Sequence, residues 1–386
     1  MMNATMNENR AKIAKSASVF AAETLDPIAS NLDHTGVYPR AVIEQLAAEG
    51  FLGLFLPEKW GGTDAGFASY VEAVQALSRS CAAVASILNN HVLAAHAIDR
   101  WGNESQKTEY LAALAAGKKL GTLATYETGS TPGVGTDALI ASRHGTGFTL
   151  TGTKAFVRNA GAADVYVVFA TLELAAETDG MTAFLVDANT PGLTVGPELD
   201  TMGLKGCPVA HLTFLNVSLA EGTLLGSVTG GTAIADHLLA VGAVAEGAQT
   251  VGIGKAAARH AADYAKHRVQ FRHPVAALQA IQTMLTEVAT DSHLAWLGVQ
   301  QTAQLIDSGA PFKAEAAMVK AFLARFGSRM LIEACQVEGG LGISETAPKG
   351  VRENLPLARM FRDIAGTTLL DAPADFPDKL IAEAIA

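Results

Sequence analysis

Residues 121–228 do not share the period of the chain on either side of them. Here short runs rich in Val, Thr and Phe follow one another: GFTLTGTKAFV, ADVYVVFATL, MTAFLVDA, GLTVG and VAHLTFLNV, with Gly, Pro and Asn between them. β-Branched and aromatic residues suit a pleated, half-buried surface, and the small breakers mark turns. Before this block, AVIEQLAAEGFLGLF repeats apolar residues at three-to-four spacing, and the alanine-rich stretch Tyr70–Ala116 turns at Trp101-Gly102-Asn103. After it the helical period returns in Ala233–Gly254, Ala256–Val269, Val275–Ser308 and Lys313–Gly339. Helices, then strands, then helices predict an α+β chain in three segregated parts: 1–120, 121–228 and 229–386.

Charge narrows the function. Charged residues make up 17% of the 386, the net charge is −10, and the pI is near 5.5. An acidic chain is a poor ligand for nucleic acid, so none is expected as a partner. So little charge over so long a chain predicts buried interface, hence an oligomer. Cys81, Cys207 and Cys335 are too scattered for a disulfide framework or a zinc site, which fits a reducing cytoplasm. No apolar run reaches the roughly 18 residues of a membrane span, and MMNATMNENRAKIAKSASVF has no apolar targeting core.

Five motifs then fall in order: LFLPEKWGG (Leu54–Gly62), GTKAFVRNAGAADVYVVFA (Gly152–Ala170), MGLKGCPVAHLTFLNVSLAEGTLLG (Met202–Gly226), YAKHRVQFRHPVAALQAIQ (Tyr264–Gln282) and ACQVEGGLG (Ala334–Gly342). In this order and spacing they resemble the acyl-CoA dehydrogenase family over nearly the whole chain. The resemblance implies an N-terminal helical domain, a middle β-barrel or sandwich and a C-terminal four-helix bundle. It also implies FAD, an acyl thioester substrate such as an acyl-CoA, an electron acceptor, and a homotetramer built as a dimer of dimers. Fold is the stronger implication, because function resides in the site.

By this resemblance, Thr125, Tyr126, Phe156, Val157 and Arg158 would lie against the flavin ring. Arg268, Phe271, Gln279, Gln336, Gly339 and Gly340 would serve its adenine and pyrophosphate, partly across a subunit interface. Read without the family, Gly339-Gly340 after a long helix either lets an anionic group approach the backbone or simply caps the helix. Two departures stand out. Arg158 takes the place of a flavin-bonding threonine, where it either supplies a fixed cation or turns to a carboxylate. Thr125-Tyr126-Glu127-Thr128 replaces T-E-P, and counting back 27 positions from Lys154 puts Glu127 on the family's glutamate; the later PGVGTD (Pro132–Asp137) imitates the family's P-G-A-G-S-D by composition but would shorten the following connection by four residues.

On the substrate side, Asn90 and His91 fall on the helix that lines the acyl pocket in the family. His91 titrates near neutrality and reads either as an acid or polar selector or as a bonded core histidine. Gly242 excludes the base position that some members use on the helix beginning near 237. Glu246, one turn on, reads as a paired structural acid. The resemblance implies a carboxylate base near the end of the chain, where RMFRDIAGTTLLD holds no glutamate. Anchoring on PLARMFRD (Pro356–Asp363) and LIA (Leu380–Ala382) assigns the position to Asp371, with Ala372 beside the substrate. Gly366-Thr367 is then a coincidence of letters. A desolvated carboxylate has its pKa raised, which suits proton abstraction. ISETAPKGVREN lengthens the preceding loop by about eight residues over the family pattern. Two rivals remain at this stage: a flavin oxidase or monooxygenase acting on a non-CoA substrate, and a non-catalytic subunit that lends FAD contacts to a partner.

Overall fold

The computed structural model describes residues 2–127, 138–173, 180–346, 355–369 and 381. Six helices come first: α1 (Met2–Phe20), α2 (Ala29–Thr35), α3 (Arg40–Ala48), α4 (Phe67–Ser78), α5 (Ala82–Trp101) and α6 (Glu104–Ala115). The AVIEQLAAEGFLGLF repeat is not one helix. Gly50, at φ 79°, ends α3, and Phe51–Gly53 forms a separate 3₁₀ turn. A side chain there would be strained, so the break is written in that residue. At the next turn Asn103 caps α6 by accepting from the Gln106 amide, while the Gln106 side chain accepts from the Asn103 amide.

The strands follow: β1 (Gly121–Ala124), β2 (Ile140–His144), β3 (Gly147–Arg158), β4 (Val165–Glu173), β5 (Gly180–Asp187), β6 (Leu193–Val195), β7 (Val209–Leu219) and β8 (Leu224–Leu225). They form one sheet in the order β6-β7-β3-β2-β4-β5-β8, with β1 added parallel to β4. In β4 successive side chains point to opposite faces. Tyr166, Val168 and Ala170 join the β core, while Val165, Val167 and Phe169 pack on helices α5 and α6. Both faces are covered, which is why VYVVFATL reads as an unbroken apolar run. Bulges interrupt β3 where it pairs with β7, between Leu150 and Gly152 and between Lys154 and Val157.

Helix α7 (Gly231–His267) is continuous for 37 residues, about 55 Å. The sequence pattern divides it near Lys255, because its exposed polar face begins there; the backbone does not break. A hairpin of β9 (Val269–Gln270) and β10 (His273–Pro274) leads to α8 (Gln279–Ser308), then α9 (Lys313–Glu338) and α10 (Leu357–Leu369). These four helices pack on one another, with α4 and α5 also against α7. The small residues of α7 permit this closeness: a Cβ on Gly252 would collide with the Gln75 carbonyl of α4. Among the described residues no helix is long and apolar enough to cross a membrane.

Candidate active site

A cleft of about 630 Å³, its open mouth included, lies where the β sheet meets α5 and α7. The bulge in β3 shapes its wall. Phe156 takes φ 52°, unusual for a residue with a Cβ, and turns outward to stand 47% exposed, edge-on to His211 at 5.2 Å. Its neighbours Ala155 and Val157 remain buried. The segment Thr125-Tyr126 forms the facing wall and is held from below. Lys154 donates to the Thr125 carbonyl at 3.2 Å and to Glu127 Oε1 at 2.7 Å, and the Ala155 amide donates to the Tyr126 carbonyl. Burial pushes the Lys154 pKa below its ordinary value, against the pull of Glu127.

Arg158 ends β3 inside the cleft and is 4% exposed. Its Nη1 lies 3.4 Å from Glu246 Oε1, and its Nη2 donates to the Gly366 carbonyl at 3.1 Å. Lys320 of α9 donates to the other oxygen of Glu246 at 2.7 Å. Arg158 therefore turns to a carboxylate and still lines the cleft, so the two sequence readings are not exclusive. Glu246 is the paired acid that its isolation on α7 predicts. No sequence motif marks Lys320; only the packing of α9 on α7 brings it to Glu246.

A second chain of bonds fixes the end of α10 beside the cleft. Tyr70 donates to Asn89, Asn89 to Gln249, Gln249 to Thr367 at 3.0 Å, and Thr367 to the Asp363 carbonyl. Gly366 and Thr367, a chance match in sequence terms, are the residues through which α10 touches this wall. Asp371 and Ala372 lie outside the described residues. So do PGVGTD (Pro132–Asp137) and most of the ISETAPKGVREN loop.

Asn90 lines the cleft and donates to the Ser86 carbonyl at 2.9 Å. His91 does not line it, which corrects the expectation of a substrate contact. The ring is fully buried on the core face of α5, where Nδ1 accepts from the Gly121 amide at 3.2 Å. Desolvation lowers its pKa to about 4, so it is a neutral core histidine.

The other expected cofactor residues are elsewhere. Arg268 caps α7; Phe271, at φ 50°, is 84% exposed on the hairpin; Gln279 begins α8. Gln336 is exposed on α9, and Gly339 ends that helix at φ 62°. A Cβ on Gly339 or Gly340 would meet nothing within 4 Å, so this backbone lies open to a ligand. All six sit at one end of the bundle. From Glu246 to His267 the continuous α7 rises about 32 Å, so one chain holds its two groups of residues far apart.

The fold and cleft can be set beside known proteins. The N-terminal, middle and C-terminal domain models of acyl-CoA dehydrogenase match residues 7–118, 124–217 and 229–385. An acyl-CoA dehydrogenase of Bacillus subtilis is 34% identical over 98% of this chain and 98% of its own. The acryloyl-CoA reductase (NADH) of Anaerotignum propionicum is 32% identical over 100% of this chain and 96% of its own. The structure of butyryl-CoA dehydrogenase from Megasphaera elsdenii superposes with a TM-score of 0.91 at 31% identity, covering 97% of both chains. Helical, β and helical parts in that order and similarity along the whole length agree: the chain belongs to the acyl-CoA dehydrogenase family of oxidoreductases.

Proposed function

We propose that this chain is an FAD-dependent oxidoreductase acting on the α,β carbon–carbon bond of a short acyl-CoA, with Asp371 as the base. The observation that carries the reading is the bond from Arg158 to the Gly366 carbonyl: it brings the chain to the cleft wall five positions before Asp371. The cleft suits a flavin ring, with Phe156 and Val157 as an apolar wall, the Thr125-Tyr126 backbone opposite and a buried guanidinium at its floor. The chemistry FAD supplies when bound is acceptance of a hydride from the substrate's β-carbon. Asp371 takes the α-proton; Lys154 and Glu127 hold the Thr125-Tyr126 wall still; Arg158 fixes positive charge beside the cleft. The butyryl and acryloyl names of the relatives support a short acyl group.

The distant residues Arg268, Phe271, Gln279, Gln336, Gly339 and Gly340 serve the cofactor of a neighbouring subunit in a homotetramer. Exposed apolar side chains support the assembly: Val269 and Phe271 on the hairpin, Leu294 and Leu297 on α8, Ile332 on α9. Three buried, free cysteines suit the cytoplasm. Titrating the purified, flavin-loaded protein with acyl-CoAs tests the reading, with loss of the oxidised flavin spectrum expected. A protein purified without flavin, or one reduced by no acyl-CoA, overturns it. One observation favours a second reading, an oxidase acting on a non-CoA substrate: Gly242 and Ala243 put no charge on their stretch of the α7 wall, where Glu246 is the next charged residue. Rapid oxygen consumption by the substrate-reduced protein would select it.

A further inference from the structure

The cleft does not end at open space. Behind Glu246 lies a second, small cavity, about 220 Å³ with its solvent-open part included and with room for about one water, lined by Gly247, Thr250, Lys320, Leu323, Ala324 and Thr367. Ala243 and Glu246 line both. The methyl of Ala243 obstructs little, so the partition is the Glu246 side chain. That side chain is held from both directions, by Arg158 of β3 at 3.4 Å and by Lys320 of α9 at 2.7 Å. All three are at most 10% exposed at the side chain.

We propose that Glu246, clamped between Arg158 and Lys320, is a plug that ends the acyl end of the cleft and restricts the enzyme to short acyl groups. The inference rests on the acyl-thioester reading above and names its specificity-determining residue. A methylene chain reaching the second cavity must displace a carboxylate from two cations, or lie against charges without solvating them. Removing one partner of a buried ion pair is costly, and apolar carbon offers the remaining charges nothing. Only a smaller, uncharged side chain at 246 would join this small space and its Leu323 and Ala324 walls to the cleft and give a longer chain room.

Two measurements test this. Calorimetry on the flavin-loaded parent with 2-enoyl-CoAs of three to eight carbons reads the cleft length directly. Each added methylene tightens binding roughly four-fold while it enters apolar space. The gain is expected to stop at four to five carbons; tightening that continues to eight overturns the plug while leaving the acyl-thioester reading intact. Binding of none of the series overturns both. The second measurement compares the octanoyl to butyryl ratio of kcat/KM in the parent, in Glu246→Gln, and in the double variant Glu246→Val with Lys320→Met. The ratio should rise at least ten-fold in the double variant and much less in Glu246→Gln, which keeps the volume but gives up the charge that clamps it. An unchanged ratio in a folded, flavin-loaded double variant overturns the proposal. Should that variant fail to fold, the parent's binding series decides alone.

Discussion

Lys154 and Glu127 are 27 positions apart in the chain and meet at 2.7 Å, with side chains 1% and 3% exposed. One link of the contact is strand β3; the other is the Thr125–Glu127 segment that walls the cleft. Glu127 also accepts from the Leu139 amide at 3.1 Å, so the pair fixes the chain on both sides of residues 128–137. Lys154→Met should leave a buried carboxylate without its cation and cost about 3–5 kcal/mol. Replacing both, as Lys154→Met with Glu127→Leu, should recover much of the stability and little of the cofactor retention. Urea denaturation and released flavin measure the two; equal stability of single and double variants would contradict the pairing.

Asp371→Asn should leave FAD bound and slow substrate-driven flavin reduction by about 10²–10⁴-fold, the range for loss of a general base. Asp371→Glu tells whether the site is built around the shorter acid: retained or raised activity means the backbone leaves room for one more methylene. Stopped-flow reduction is the measurement. An asparagine variant as fast as the parent would place the base elsewhere.

Arg268→Ala should weaken cofactor retention by about 1–3 kcal/mol without altering the cleft, since loss of a charge-assisted bond has that range. Arg268 and Glu246 are separated by most of α7, so the effect should appear in flavin loading and in assembly, not in the acyl-length profile. Light scattering of the flavin-loaded parent should give a tetramer; a stable flavin-loaded monomer would refute the shared site.

Two buried histidines and a half-buried one predict a stability that falls with acid. Desolvation lowers His91 to about 4 and His96 to about 3, and His237, whose Nε2 is 3.1 Å from that of His96, to about 4. Between pH 6.5 and about 4 the unfolded chain binds protons at these positions and the folded chain does not, so stability rises with pH through that window. For fully buried His91 the whole effect is about 3 kcal/mol. Thermal melts from pH 7 to 5 should steepen their loss on acidification, and His91→Asn should flatten the profile. Identical slopes in parent and variant would mean His91 titrates alike in both states.

The sequence carries the architecture well because its signals there are local. The β composition of β4, the turn at Trp101-Gly102-Asn103 and the breakers between strands need no distant partner to be read. The cleft is less legible. Phe156, Val157 and Arg158 are found from the motif, but the bulge that sends Phe156 outward depends on pairing with β7. Lys320 lies 74 positions from Glu246 and carries no motif, so only three-dimensional packing joins them. His91 misleads for the opposite reason. Helical position puts it near the pocket, yet a shift of one residue around α5 separates the Asn90 face from the core. Gly366-Thr367 shows that a fragment out of register can still touch the site.

Helix α7 runs without a break from the cleft wall at Gly242 to the cap at Arg268. It therefore works as a ruler with an angular scale as well as a length. Deleting a single residue between Glu246 and His267 would shorten the rod by about 1.5 Å and rotate one end about 100° against the other. The plug and the hairpin would then face different directions, even with every side chain of both unchanged. Substitutions can be absorbed along this helix wherever the neighbours leave room, but its number of residues is fixed by the geometry at its two ends.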